Sequence, residues 1–406
     1  MKDLLRDQRV QRLLVANITG SIGSGVTIIA VPWLLVHRAG GDQIYGYVTL
    51  GTTLVLFLFM PYYGAWLDSH SRKTMLLAGE LFGFTGTITM AAWAFATGRV
   101  ETWQLITSYF CGMLYYTLHY PAKYAFLQQI IDRKHYQALT GLMEVQGQAA
   151  SMLAGGLAGF LIDRIPLWVI LAIDASTYLF SFLVQSTLPY EATHLRHATP
   201  SRNAWHAMAE GWRWLRDRAQ LSAFLACTLV PFVLVMVSNY LFPVYVADEL
   251  HANASVFGNG EIVFAVGALT AGVFIPRLAS ERGAGEIIGY TMAACLAAIG
   301  LLVVWRTPGA YYVALALFGL GNAGSRVTRN AVVLHVVPNA VMGRVGMFFN
   351  AADRLLRTIL TSACTWLVGH GGAVNGYVLL WTVLVAAFAG ALATRAAVRP
   401  GAPAPA

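Results

Sequence analysis

Charged residues are scarce in this sequence. Only 11% of its 406 residues are Asp, Glu, Lys or Arg, whereas 57% are hydrophobic. A water-soluble fold of this length covers its core with roughly a quarter charged residues, so the composition excludes that class. The net charge of +8 does not indicate nucleic-acid binding, because the cations collect in short connections between apolar segments.

Cysteine is also scarce, and nucleotide and metal signatures are missing. The sequence contains no P-loop, which excludes ATP hydrolysis by this chain, and its histidines lack the spacing of metal ligands. We therefore expect no enzyme activity, no cofactor and no metal. The cysteines lie within apolar segments and form no CxxC pair, so we expect small core residues at Cys111, Cys227, Cys295 and Cys364.

Long apolar stretches, in contrast, fill most of the chain. A stretch of at least about 18 apolar residues indicates a membrane-spanning helix, because lipid offers no hydrogen-bond partner to an exposed backbone. We predict an all-α, polytopic membrane protein with twelve transmembrane helices, at residues 12–36, 45–66, 74–97, 102–124, 138–162, 166–188, 220–247, 257–279, 285–305, 309–333, 345–369 and 373–395.

The distribution of lysine and arginine predicts the orientation of these spans. With the amino terminus in the cytoplasm, most cations fall in cytoplasmic connections, and the outer loops hold only Arg38, Arg99, Arg164 and Arg306. This bias predicts a multi-pass protein of the bacterial cytoplasmic (inner) membrane with both termini in the cytoplasm. The first apolar run is too long for a cleavable signal peptide.

The longest polar connection, between the sixth and seventh spans, divides the chain in two. We predict four regions, in order a six-helix half, a cytoplasmic linker, a second six-helix half and a disordered tail, at residues 1–188, 189–219, 220–395 and 396–406. A faint internal repeat aligns GAWLDSHSRK with GVFIPRLASE. The repeat favours a duplicated transporter architecture, with two halves around a central cavity.

The linker contains a segment with helical periodicity, AWHAMAEGWRWLRDR. Its apolar residues Trp205, Met208, Trp212 and Leu215 fall on one face, with arginines elsewhere on the wheel. This pattern predicts an amphipathic helix suited to the headgroup region of the membrane. Both a connecting and a regulatory role are open for it.

The connection between the second and third spans carries a recognisable motif. Gly64, Asp68, Arg72 and Lys73 resemble the signature G-x-x-x-D-x-x-x-R-[RK] of the major facilitator superfamily, although Ser71 stands where that family usually has glycine. Three further segments are similar to its macrolide-efflux and siderophore-exporter branch: YPAKYAFLQQIIDRKHYQALTGLMEV, AEGWRWLRDRAQLSAFL and NAVVLHVVPNAVMGRVGMFFN. The resemblance implies a secondary transporter that exports a small amphipathic molecule by alternating access.

The resemblance also implies a gating role for this motif. In the inward-closed state Asp68 would face the start of the eleventh span, near 343–345, where the helix dipole stabilises a carboxylate by up to about 2 kcal/mol. Arg72 and Lys73 would hold that carboxylate or contact lipid phosphate. The alternative is a positively charged cytoplasmic turn with an incidental acid.

Carboxylates inside the spans are candidates for proton coupling, because each costs several kcal/mol in lipid and is by default a functional hypothesis. The three candidates are Glu144, Asp174 and Asp353. Two of them have a structural alternative. Asp353 is placed to pair with Arg357 four residues later. Asp174 is placed to hydrogen-bond to serine or threonine at a helix interface.

Polar and cationic residues within the spans predict the substrate cavity. The cations outnumber the carboxylates near them, which favours an anionic, siderophore-like substrate over a cationic drug. A macrolide or multidrug exporter and a transporter-fold receptor without transport stay open. Besides the substrate we expect protons and membrane lipids as partners, no nucleic acid, and a monomer. The predicted lining residues are Asn17, Ser21, His119, Lys123, Asn239, Arg326, Arg329 and Asn350.

Overall fold

The computed structural model of the chain describes residues 8–130, 136–190, 204–337 and 339–398. The described part is helical throughout, without a β-strand. Each of the six spans predicted in the amino-terminal half coincides with one helix: α1 Gln8–Val36, α2 Gly41–Ser69, α3 Arg72–Thr97, α4 Thr102–Ile130, α5 Tyr136–Leu161 and α6 Leu167–Ser186.

The carboxy-terminal half repeats this arrangement after one additional helix. That helix, α7 Ala204–Arg216, confirms the amphipathic helix predicted in the linker. The seventh span is divided into two helices near Pro231, and a π-helical turn at Tyr245–Glu249 follows it. The remaining helices are α8 Ala219–Cys227, α9 Val230–Val244, α10 Ala254–Arg282, α11 Ala284–Val304, α12 Pro308–Val336, α13 Asn339–Gly371 and α14 Ala373–Thr394.

Seven helical segments of the described chain are long and apolar enough to cross a membrane. Among the other long helices, α4, α12 and α13 carry the ionisable residues considered below, Lys123, Arg326 and Asp353 among them. The segments that meet the criterion of length and composition are Gln8–Val36, Arg72–Thr97, Leu167–Ser186, Ala219–Glu249, Ala254–Ala279, Ala284–Val304 and Ala373–Thr394.

The chain divides into two compact units. The first consists of Met1–Pro200 with Asn253–Ile262, and the second of Ser201–Ala252 with Val263–Ala406. The first turns of α10 thus belong to the first unit. The domain boundaries proposed from the sequence stay a prediction, and most of the predicted tail lies outside the described residues.

Within the first unit, α1 packs against α2, α4, α5 and α6, and α3 packs against α4 and α6. Buried apolar side chains such as Leu13, Leu76 and Phe126 form its core. In the second unit, α11 packs against α12 and α14, while α13 packs against α7 and α14. Each unit therefore has its own apolar core.

Glycines set the closest helix approaches in both units, because a Cβ at these positions would collide with a neighbouring backbone. In the first unit, a Cβ at Gly155 of α5 would lie 2.8 Å from the carbonyl oxygen of Gly258. In the second unit, a Cβ at Gly267 of α10 would overlap the carbonyl oxygen of Ala316 on α12. These crossings tolerate no larger residue without movement of a helix.

All four cysteines lie against a glycine of a neighbouring helix, and all four are free thiols. A Cβ on the glycine would approach the cysteine Sγ to between 2.5 and 3.6 Å, so each sulfur occupies space left by an absent side chain. Cys295 and Cys364 are buried, as expected of small core residues, whereas Cys111 and Cys227 are partly exposed. The pairs are Gly86 with Cys111, Gly390 with Cys227, Gly321 with Cys295, and Gly376 with Cys364.

Candidate functional site

Four predicted cavity residues of the first unit line one crevice. They are Asn17 and Ser21 on α1 and His119 and Lys123 on α4. A residue that the sequence reasoning missed, Glu80 on α3, lines the same crevice. The signal that could have identified Glu80 was a single acid within an apolar span.

Glu80 is the centre of a buried hydrogen-bonded cluster. Its side chain is 1% exposed. Tyr115 donates to its carboxylate over 3.3 Å, and Gln185 Nε2 of α6 donates to Oε1 over 3.0 Å. His119 Nδ1 lies 3.3 Å from the same Oε1 and 3.1 Å from the Tyr115 hydroxyl. The carboxylate therefore has partners on two helices, as a buried charge requires.

Lys123 belongs to the same buried environment, and Glu80 is the carboxylate whose charge acts on it. Its Nζ lies 4.4 Å from the centre of the Tyr120 ring, in a cation–π contact. On the opposite wall, Gln146 Nε2 donates to Ser21 Oγ over 3.4 Å. The crevice has a volume of only about 10 Å³, which is room for about one water molecule.

Asp174 on α6 is buried beside a second small cavity of the first unit. Its polar neighbours are Thr27 and Thr177. Within the described residues, however, neither carboxylate oxygen has a partner of hydrogen-bonding distance and angle. The cavity is lined by further hydroxyl groups, including those of Ser24, Ser108 and Tyr116. Glu144, the other predicted coupling residue of this unit, lies on α5 with its side chain outside the described part.

The second unit contains a larger pocket, with a volume of about 380 Å³. It brings together four of the predicted residues, Arg326 and Arg329 on α12 with Asn350 and Asp353 on α13. The fifth candidate of this unit, Asn239, is exposed on α9 and does not line this pocket.

Asp353 forms a bidentate ion pair with Arg357, whose Nη2 lies 3.0 Å from Oδ1 and 2.8 Å from Oδ2. The two residues are four apart on one helix, so this contact is the i,i+4 pair named above as the structural alternative for this acid. Arg329 donates from Nε to the carbonyl oxygen of Leu225 over 3.3 Å, and its guanidinium lies 4.9 Å from the centre of the Phe349 ring. The pocket is thus lined by two arginines and by one carboxylate, which is paired with a third arginine, Arg357, outside the lining.

The cations of the motif between α2 and α3 contact helix carbonyls of the first unit. Arg72 Nη1 donates to the carbonyl of Ala125 on α4 over 2.8 Å. Lys73 Nζ donates to the carbonyls of Ser186 and Leu188, both over 2.6 Å. They therefore tie α3 to the ends of α4 and α6. The side-chain surroundings of Gly64 and Asp68 lie outside the described residues.

Ser71 stands where the motif usually has glycine, and the structure at this position suits a serine. Its φ of −58° lies in a region open to every residue, and its Oγ accepts a hydrogen bond from the Thr74 N–H over 3.3 Å. Serine is a strongly preferred residue at this position, the N-cap of a helix. The substitution thus caps α3.

The amphipathic helix α7 packs on the start of α13. The Trp212 ring stacks on Phe348 with 5.2 Å between centroids. A Cβ at Gly211 would overlap the carbonyl oxygen of Arg344 and lie 3.1 Å from the Val345 nitrogen. Residues 343–345 are the segment that Asp68 was predicted to face. Within the second unit, α7 covers the backbone of this segment at Arg344 and Val345.

The described residues contain no cluster of three or more His, Cys, Asp or Glu side chains suited to a metal ion.

The profile of the Major Facilitator Superfamily matches residues 13–361 of the chain. Macrolide efflux protein A of Streptococcus pyogenes is 20% identical over 328 residues, with 80% of each chain covered. Multidrug efflux pump Tap of Mycobacterium tuberculosis is 21% identical over 276 residues, covering 65% of this chain and 66% of that protein.

Another curated relative, the uncharacterized MFS-type transporter YfiS of Bacillus subtilis, is 23% identical, but this chain spans only 56% of its length. Among solved structures, a bacterial homolog of the human lysosomal transporter Spinster superposes with a TM-score of 0.69 at 11% identity, covering 98% of this chain and 100% of that one. The nucleoside transporter NupG superposes with a TM-score of 0.68 at 15% identity, with 97% and 100% covered. These likenesses confirm the all-α, twelve-helix fold.

Proposed function

Because the chain belongs to the Major Facilitator Superfamily, a family of transporters and not of enzymes, we propose that it exports a small amphipathic anion across the bacterial cytoplasmic membrane. The driving force is a proton gradient, used by alternating access. The substrate class is a carboxylate-bearing, siderophore-like metabolite. Two relatives are named efflux proteins, which supports the direction of transport.

One observation carries the choice of an anion, namely the charge of the pocket in the second unit. Arg326 and Arg329 line the pocket together with a single carboxylate, Asp353, and Arg357, which is not part of the lining, binds both oxygens of that carboxylate. Cations in a membrane interior need a counter-ion, and an anionic ligand provides one. Planar guanidinium groups are also the side chains best suited to carboxylate recognition.

A second candidate is the export of a neutral or macrolide-like drug. Phe232, Leu229 and Phe349 provide an apolar wall in the same pocket, and apolar lining is what a hydrophobic ligand needs. The names of the efflux relatives favour the same reading. The anion is preferred here because the arginines carry a desolvation cost that a neutral drug does not offset.

For proton coupling we propose Asp174 and Glu144, with a smaller part for Asp353. Asp174 is buried and lacks a hydrogen-bond donor among the described residues, so a proton removes a charge that is costly to bury. Asp353 is less available for this role, because both its oxygens are bound by Arg357.

The topology, the lipid contacts and the gate belong to the same proposal. Both termini lie in the cytoplasm, as the lysine and arginine bias supports, and the transporter acts as a monomer surrounded by membrane lipids. Asp68 stabilises one of the two transport states. Gly64, Arg72 and Lys73 support it, the cations by tying α3 to α4 and α6.

The test is flux in proteoliposomes, with a citrate-type siderophore and a lipophilic cation, tetraphenylphosphonium, measured with and without a pH gradient. Arg329→Gln should lower siderophore flux at least about tenfold, as expected when one charged partner of a buried contact is removed. Flux of a neutral macrolide should change far less. Arg216→Gln, an exposed arginine on α7, is the matched control.

If the wild-type protein accumulates tetraphenylphosphonium and ignores the siderophore, the anion proposal is wrong and the drug exporter stands. If neither compound nor the macrolide is transported under any gradient, export itself is wrong. Flux that is independent of pH with an intact substrate response would remove the proton from the mechanism.

A further inference from the structure

A groove away from the proposed transport site lies between α11 and α14 of the second unit, with a volume of about 680 Å³. The beginning of α11 forms one wall, which includes Tyr290 and Ala293. The end of α14 forms the other wall, which includes Phe388 and Leu392. The α11–α14 groove shares no lining residue with the arginine pocket of α12 and α13. A ligand of this groove is therefore separate from the proposed substrate.

Two arginines stand at one end of the groove. Arg282 is the last residue of α10, and Arg395 directly follows α14. Among the described residues, neither guanidinium has a carboxylate within 4 Å. The one carboxylate in the lining is that of Glu286, which accepts a hydrogen bond from the Tyr290 hydroxyl over 2.7 Å. The cations thus exceed the acid by one, which favours an anionic ligand.

The groove has the depth of one leaflet of a bilayer. From the start of α11 at Ala284 to Ala293, nine residues span about 14 Å along a helix, and half of the hydrocarbon core is about 15 Å thick. One turn beyond Ala293, Trp381 Nε1 of α14 donates to the carbonyl oxygen of Leu296 over 3.2 Å, so the two helices are bridged there. The groove therefore extends from the helix ends with their arginines to the middle of the membrane.

The walls below the arginines are apolar and open to the outside of the helices. Tyr290 is 54% exposed and Leu392 is 36% exposed, although α11 and α14 both qualify as membrane spans. Exposed apolar side chains on a span are suited to contact with lipid chains. The volume of the groove is that of a pocket for an organic molecule, and it exceeds what a phosphate ion alone would fill.

We propose that the α11–α14 groove binds one anionic phospholipid. Its phosphodiester lies between Arg282 and Arg395, and one acyl chain follows Phe388 and Leu392 as far as Ala293. Guanidinium groups match phosphate oxygens in geometry and charge, and basic pockets between membrane helices are typical sites of anionic headgroups. This inference goes beyond the proposed export, because it depends neither on the substrate nor on the coupling ion.

The test is native mass spectrometry of the delipidated, full-length protein, titrated with dioleoyl phosphatidylglycerol or dioleoyl phosphatidylcholine. We expect one phosphatidylglycerol to bind at least about tenfold more tightly than phosphatidylcholine. The double variant Arg282→Gln with Arg395→Gln should weaken phosphatidylglycerol binding about 30-fold, as expected for the loss of two arginines beside an anionic headgroup. The matched control is Arg99→Gln with Arg164→Gln, which removes two exposed arginines elsewhere.

Two further variants test the path of the acyl chain without a change in charge. Ala293→Phe places a ring in the groove and should weaken phosphatidylglycerol binding about tenfold. Ala297→Phe, an exposed position one turn further along α11 and outside the lining, should have no effect. If Ala293→Phe binds the lipid as tightly as the wild type does, the chain does not lie in this groove and the inference is wrong.

Three other results would overturn the proposal. Equal affinity for the two lipids would mean that the protein has only a general lipid surface. An equal effect of the two double arginine variants would mean that net charge, and not this site, attracts the lipid. Displacement of phosphatidylglycerol by free glycerol 3-phosphate would show a site for a soluble phosphate ester. None of these results bears on the proposed export, which is measured as flux.

Discussion

The two units differ in how they hold charge inside an apolar chain. In the first unit, Glu80 accepts hydrogen bonds from Tyr115 and Gln185 and lies beside His119, whereas Asp174 lies among hydroxyl groups. In the second unit, Asp353 is bound by Arg357 and lines a pocket together with Arg326 and Arg329. That pocket has a volume of about 380 Å³, whereas the two crevices described in the first unit have room for about one water molecule each.

This difference indicates that the two units have different chemical roles. Asp174, whose cavity is lined by hydroxyl groups, can lose its charge without leaving one of these neighbours as an unpaired charge. A carboxylate held by arginine cannot, because a buried guanidinium would be left alone. The first unit is therefore suited to exchanging protons, and the second to presenting permanent positive charge to a ligand.

The largest expected effect comes from the crossing of α10 and α12. Gly267→Val would drive a side chain into the backbone of α12 at Ala316, and α12 is the helix that carries Arg326 and Arg329. We expect a loss of about 4 kcal/mol, enough to prevent folding of the second unit. Gly272→Val on the same helix, where nothing lies within 4 Å of an added Cβ, should be tolerated. Size-exclusion profiles of the two proteins in detergent distinguish them, and equal profiles would contradict the packing argument.

The next effect tests the ion pair of the second unit. Arg357→Gln leaves Asp353 without its bidentate partner, and we expect a loss of about 3 kcal/mol in the free energy of unfolding. The double variant Asp353→Asn with Arg357→Gln should recover most of it. Unfolding in mixed micelles measures both. If the double variant is as unstable as the single variant, the loss of stability does not come from leaving Asp353 unpaired.

The matching experiment in the first unit should have the opposite sign. Because the carboxylate of Asp174 has no hydrogen-bond donor among the described residues, Asp174→Asn should leave stability unchanged or raise it by about 1 kcal/mol. Gradient-driven accumulation in proteoliposomes should be lost, while downhill exchange persists. Loss of both transport modes, or a clear loss of stability, would show that Asp174 is structural and would remove the contrast between the units.

The smallest effect concerns the N-cap of α3. Ser71→Ala removes the acceptor for the Thr74 N–H and should cost about 1 kcal/mol, whereas Ser71→Gly should cost only a few tenths. Thermal unfolding of the two variants gives the comparison. If Ser71→Gly is the less stable of the two, the cap is not what makes serine acceptable in this motif.

The sequence predicted the helices well, because membrane helices can be recognised by their length and apolarity. All twelve predicted spans coincide with observed helices or helix pairs, and the amphipathic α7 falls where Trp212 and Leu215 indicated. The pairing of Asp353 with Arg357 was predictable for the same reason, since a spacing of four is a local property of one helix.

Contacts between helices were harder to predict. Arg326, Arg329 and Asn350 do share one pocket, but Asn239 lies elsewhere, because the rotation of α9 is set by packing and not by composition. Glu80 was missed although it is as isolated in its span as Asp174. Its importance comes from Tyr115, Gln185 and His119, which reach it from two other helices. One sequence without structure does not reveal such convergence.

The packing of the four cysteines has a practical consequence for labelling experiments on this protein. Transport cycles are followed by attaching dyes or spin labels to introduced thiols, and native thiols usually have to be removed first. Here Cys295 and Cys364 are buried, whereas Cys111 and Cys227 are partly exposed. A cysteine introduced at an exposed site such as Arg216 should therefore be labelled selectively once Cys111 and Cys227 are replaced, and the two buried thiols can stay in place.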